Sequence, residues 1–67
     1  MDRSFASTFR LLRRGSGWSL KKTARQLGVS LNTVSRWERG ESYPRLRSLV
    51  KIAKLFEVSI WDLVEQR

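Results

Sequence analysis

Ser19-Leu20-Lys21-Lys22-Thr23-Ala24-Arg25-Gln26-Leu27-Gly28-Val29-Ser30-Leu31-Asn32-Thr33-Val34-Ser35-Arg36-Trp37-Glu38-Arg39-Gly40 reads as two short helices joined by a tight turn. Ser19 is placed to cap the first, with Lys22 rather than an acidic residue at the third position. Leu20, Ala24 and Leu27 line one face, and Lys21, Lys22 and Arg25 lie elsewhere. Gly28 stops the helix, where a left-handed residue is needed and glycine adopts one freely. Ser30 caps the second helix. Val34 and Trp37 point inward with Val29 just before the cap, while Asn32, Arg36 and Arg39 share a different, outward face. Gly40 closes it.

Working outward, a first helix is predicted over Asp2–Arg14, with Phe5, Phe9 and Leu12 on one side and Gly15-Ser16-Gly17 as its stop. Downstream, Glu41-Ser42-Tyr43-Pro44 is a loop, because the residue before a proline is biased away from helix. A fourth helix follows, with Leu46, Leu49, Ile52, Ala53 and Phe56 as its expected buried stripe. Ser59 and Asp62 make an acidic capping box for a fifth, whose Ile60, Leu63 and Val64 belong with the core. The expected architecture is all-α, five helices and no strand, as a single domain over residues 1–67. Trp61 falls on a side the core pattern does not require. It either folds back on the first helix near Phe5 or stands exposed as an anchor for a second subunit.

Charge narrows the function. The 67 residues carry a net +8, and the whole excess lies between residues 10 and 47, where ten Lys and Arg face only Glu38 and Glu41. Residues 1–9 and 48–67 each sum to zero. An excess confined to one segment points to an anionic partner. Cysteine and histidine are absent, which removes disulfides, thiolate chemistry, histidine bases and the usual zinc sites. No run approaches the ~18 apolar residues of a membrane span, and the start lacks the layout of a secretory signal. With 40% hydrophobic residues the chain can fold but has little room for a ligand cavity. No cofactor, metal or small-molecule ligand is expected. Nor is an enzyme, because no nucleophile sits beside a plausible base.

The segment Ser19–Gly40 resembles the helix-turn-helix of the Cro/repressor type, the Xre-like family. Ala24 matches the small residue where the two helices cross, Gly28-Val29-Ser30 the turn, and Thr33-Val34-Ser35 with Trp37-Glu38 and Gly40 the end of the recognition helix. Phe9-Arg10 and Leu12-Arg13 match the opening helix; Pro44 and residues 49–63 match the closing two. Two positions depart from the pattern. Leu20 replaces a common phosphate-contacting Gln, and Thr23 replaces a core Leu, which is expected to loosen packing between the first two helices slightly.

The resemblance implies a five-helix lambda-repressor-like fold that sets one helix in the DNA major groove, where each base pair displays a distinct donor and acceptor pattern. Its base readers are then Leu31, Asn32, Thr33 and Arg36, with Asn32 suited to adenine and Arg36 to guanine. Its phosphate contacts are Ser19, Leu20, Lys21, Ser30, Arg39, Tyr43, Arg45 and Arg47, which orient the protein without reading sequence. Arg13 and Glu38 match a structural ion pair tying the first helix to the end of the third, and Trp37 is core. The implied function is a transcriptional regulator, a repressor, binding a palindromic double-stranded operator as a homodimer in a prokaryotic or phage cytoplasm, at the nucleoid. An antitoxin using the same fold for autoregulation is the alternative, although no toxin-binding segment is visible. Bases spread over several helices disfavour a membrane-surface peptide, and aromatics at core positions disfavour an RNA platform.

Overall fold

The computed structural model describes residues 5–64. Among these there are five helices and no strand: α1 (Phe5–Gly15), α2 (Leu20–Leu27), α3 (Leu31–Glu38), α4 (Leu46–Phe56) and α5 (Ile60–Leu63). The expected start of the first helix, Asp2 to Ser4, lies outside the described residues.

The boundaries follow from local chemistry. Ser19, Ser30 and Ser59 each accept a hydrogen bond from a backbone N–H of the first turn they precede, at Lys22, Thr33 and Asp62. Asp62 returns the favour by accepting from the Ser59 N–H, closing the capping box. Gly28 ends α2 at φ 72°, and its N–H reaches back to carbonyls of the last turn. That geometry lets the chain reverse within two residues, so α3 packs against α2, whose Ala24 is buried.

The helices enclose one core. Phe9, Val34, Ile52 and Leu63, one from each of α1, α3, α4 and α5, are fully buried, and α2 adds Ala24, Leu27 and Thr23. Phe9 stacks on Phe5 at 5.2 Å and meets the edges of Trp37 at 5.9 Å and Phe56 at 6.2 Å. These aromatic contacts lock α1 onto α3 and α4. Thr23 is buried completely, yet its hydroxyl donates to the Ser19 carbonyl at 2.9 Å, so the polar atom is satisfied inside.

A polar bracket completes the α1–α3 contact. The Arg13 guanidinium engages both carboxylate oxygens of Glu38 and also donates to the Trp18 carbonyl at 2.7 Å. Arg10 donates to the Glu38 carbonyl at 3.0 Å. Glu38 is buried, and its hydrogen bond and charge push the Arg13 pKa above its ordinary value, so the guanidinium keeps its charge.

One expectation about an apolar residue is corrected. Leu46 is 68% exposed and leaves the buried stripe of α4. It occupies the first helical position, where no helical turn precedes it for the side chain to lean over. Of the two alternatives for Trp61, the side chain takes the exposed one, at 77%. The Tyr43 ring meets Phe5, at 5.6 Å.

The end of α4 carries the one non-glycine residue with positive φ among those described, Glu57 at φ 55°. An L-residue there is strained by about 1 kcal/mol. Glu57→Gly is expected to stabilise the fold by about 0.5–1 kcal/mol, the gain in strain exceeding the added freedom of the unfolded chain. A urea midpoint that fell in this variant would assign the Glu57 side chain a stabilising contact larger than the strain.

Candidate nucleic-acid interface

Geometry at the start of α3 decides what this helix can touch. With Ser30 as cap, Leu31 and Asn32 stand exposed at its first turn, and Arg36 is exposed one turn further on. Val34 and Trp37 occupy the opposite side and are buried. Thr33 is half-buried, and its hydroxyl lies 2.9 Å from that of Ser30, so it belongs as much to the cap as to the outer surface. The exposed side therefore offers an amide, a guanidinium and the apolar Leu31. These groups have the shapes that pair with base edges and thymine methyls.

Backbone donors and cations flank this face. At α2 the Ser19 hydroxyl satisfies the Lys22 N–H, leaving the Leu20 and Lys21 N–H groups outside the helical ladder. Leu20 itself is half-buried against the core, so its contribution here is its backbone and not its side chain. At α4 the cap position is Arg45, which makes no side-chain cap bond. The α4 entrance, flanked by the exposed Arg45 and Arg47, is thus electropositive twice over, by side chains and by helix dipole. The only signal of the uncapped α4 start legible beforehand is the lack of Ser, Thr, Asp or Asn at position 45.

Not every expected cation is free. Arg39 forms a two-pronged pair with Glu41 at 2.8 and 3.0 Å and donates to the Ser35 hydroxyl at 2.5 Å. Arg36 lies 3.9 Å from the same carboxylate. The hydrogen bonds from Arg39, with smaller electrostatic contributions from Arg39 and Arg36, hold the Glu41 carboxyl below its ordinary pKa, and Glu41 pushes Arg39 further up. The pairing therefore persists as pH falls to the ordinary carboxylate range and is lost only below it. Sequence reading missed Glu41, although the Arg36, Arg39 and Glu41 spacing around the Gly40 turn was there to find. Tyr43 is exposed while its ring rests on Phe5. Lys22 sits over the Trp18 ring at 4.8 Å, which occupies it away from the reader side chains.

No group of three His, Cys, Asp or Glu that would hold a metal occurs among the described residues, and no described helix is long and apolar enough to cross a membrane.

The family model described as helix-turn-helix matches residues 9–61. The chain belongs to the helix-turn-helix family. It is 38% identical over 60 residues to the HTH-type transcriptional activator BcrR of Enterococcus faecalis, a match covering 90% of this chain and 29% of that protein. It is 35% identical over 60 residues to the cryptic phage CTXphi transcriptional repressor RstR of Vibrio cholerae, covering 90% of this chain and 54% of that one. This helix-turn-helix chain therefore spans from under a third to about half the length of these two relatives. A transcriptional regulator from Listeria innocua superimposes with a TM-score of 0.87 at 30% identity, over 96% of this chain and 60% of the other. The DNA-binding domain of the P22 C2 repressor gives 0.84 at 23% identity over 100% and 96%, a likeness of fold alone. The helix-turn-helix itself is α2, the Gly28–Ser30 turn and α3.

Proposed function

We propose that this protein binds double-stranded DNA sequence-specifically, with the outer face of α3 in the major groove, and regulates transcription as a repressor. The observation that carries the reading is the composition of that face. Asn32 and Arg36 stand exposed on the second helix of a helix-turn-helix, flanked by the open helix entrances of α2 and α4. In this reading Leu31, Asn32, Thr33 and Arg36 meet base edges. Ser19, Leu20 and Lys21 hold a phosphate on one side, through backbone N–H groups and the lysine. Ser30, Arg39, Tyr43, Arg45 and Arg47 hold phosphates on the other. Catalysis has no part in it.

Repression asks least of the molecule, because occupying DNA blocks a competitor with no further surface. The relatives include both an activator and a repressor by name, so the sign of regulation is part of the proposal. A homodimer on a palindromic site is the symmetric arrangement, and the exposed Trp61 on α5 supplies an apolar anchor for it. The site of action is the cytoplasm, on the nucleoid.

The test begins with a duplex selected from a random pool. Arg36→Ala is expected to keep binding while relaxing preference at one base position, by about 1–3 kcal/mol of lost discrimination. Arg45→Ala is expected to weaken all duplexes alike and to flatten the salt dependence by about one unit of log–log slope. Equal loss of specific and non-specific binding in both variants would remove the division between readers and positioners.

A further inference from the structure

We propose that Glu41 is a selectivity-determining residue, an internal stand-in for a phosphate that keeps Arg39 occupied until a correctly docked duplex displaces it. The proposal rests on the DNA-binding reading above. Its geometry is independent of that reading: the carboxylate takes both prongs of the Arg39 guanidinium at 2.8 and 3.0 Å, and the third nitrogen is held by Ser35 at 2.5 Å. A two-pronged carboxylate presents the same acceptor pattern that a phosphate does. Glu41 is tied back to α3 by its own N–H, which donates to the Arg36 carbonyl at 2.9 Å, so the backbone that carries the carboxylate is anchored beside the cations it faces.

The pair is exposed on both sides, with side chains about half accessible. Such pairs contribute little to stability, which leaves its role to be sought in binding. Because Glu41 is covalently close, it competes at a high effective concentration against any phosphate that is not held in place. A sliding, non-specific complex offers Arg39 no fixed phosphate, and the carboxylate wins. A complex locked by base contacts presents one phosphate at fixed geometry, and the exchange becomes favourable. Glu41 thereby suppresses non-specific binding, which is almost wholly electrostatic, more than specific binding, and widens the ratio between them.

The experiment is a double-mutant cycle of Glu41→Gln and Arg39→Ala, read by fluorescence anisotropy against the selected duplex and a scrambled one over a salt series. Thermal melts serve as the folding control. Glu41→Gln is expected to tighten scrambled-duplex binding about five-fold and selected-duplex binding by less than about two-fold. Its scrambled-duplex salt slope should steepen by about 0.9, the signature of one more phosphate neutralised. In the Arg39→Ala background both effects should vanish. If Glu41→Gln tightens binding equally with and without Arg39, Glu41 acts through the general field and the proposal fails while DNA binding stands. An equal gain on both duplexes also overturns it. If the parent protein binds neither duplex, the DNA-binding reading falls first and takes this role with it.

Discussion

Phe9→Ala should remove a large part of the fold's stability, about 3–5 kcal/mol. The ring is fully buried and touches Phe5, Trp37 and Phe56, so it joins α1, α3 and α4 at one point. Truncating a buried phenylalanine to alanine costs about 3–5 kcal/mol, through lost transfer energy and the cavity left behind. A chain of this size has only about 3–10 kcal/mol of total stability. Collapse around the void is limited, because the neighbouring rings are held by one another. Phe9→Leu should fold with a lowered melting temperature, which separates lost volume from lost aromatic contact. Circular dichroism with urea titration reads both. A Phe9→Ala variant within about 1 kcal/mol of the parent would place the centre of the core elsewhere.

Glu38→Ala is the second large effect, an expected loss of about 3 kcal/mol. It removes the acceptor for two Arg13 nitrogens and leaves that half-buried guanidinium facing the α1–α3 seam with only the Trp18 carbonyl. Breaking one side of a buried pair is expensive because the other charge remains without compensation, typically about 3–5 kcal/mol; the partial exposure of Arg13 argues for the lower end. Replacing both partners, Arg13→Met with Glu38→Leu, should recover most of the loss, since apolar residues of similar volume need no partner. Chemical denaturation of the two variants decides it. A double variant no better than Glu38→Ala alone would mean that the backbone hydrogen bonds from Arg13 and Arg10, and not the ion pair, hold the seam.

The helical order was legible because each boundary is written in residues whose effect is local. Ser19, Ser30 and Ser59 cap where they stand, and Gly28 reverses the chain with no help from tertiary contacts. Inward residues of α3 follow from spacing alone. Legibility fails where a side chain's environment depends on what lies across from it. Leu46 fits the stripe of α4 by period, yet it is exposed at the first helical position, where no helical turn precedes it. Trp61 and Tyr43 cannot be placed by period at all, and only the folded chain brings Tyr43 onto Phe5. For the interface, the outward face of α3 was readable from the same periodicity. The state of its cations was not. Arg39 reads as free in sequence and is paired in the fold, because Glu41 reaches it around a turn that follows no helical spacing. Arg10 was likewise invisible as part of the Glu38 bracket, although it lies one turn from Arg13 on the same helix.

The most direct test of the central claim, that the α3 face meets the DNA, is an amide NMR titration of the protein with its selected duplex. The interface described requires shift changes concentrated at residues 19–21, 30–39 and 43–47, with the Asn32 and Arg36 side chains perturbed by the selected duplex and not by a scrambled one. Perturbations centred instead on Arg25, Lys51 and Lys54, the cations around the open groove between α2 and α4, with α3 silent, would contradict it.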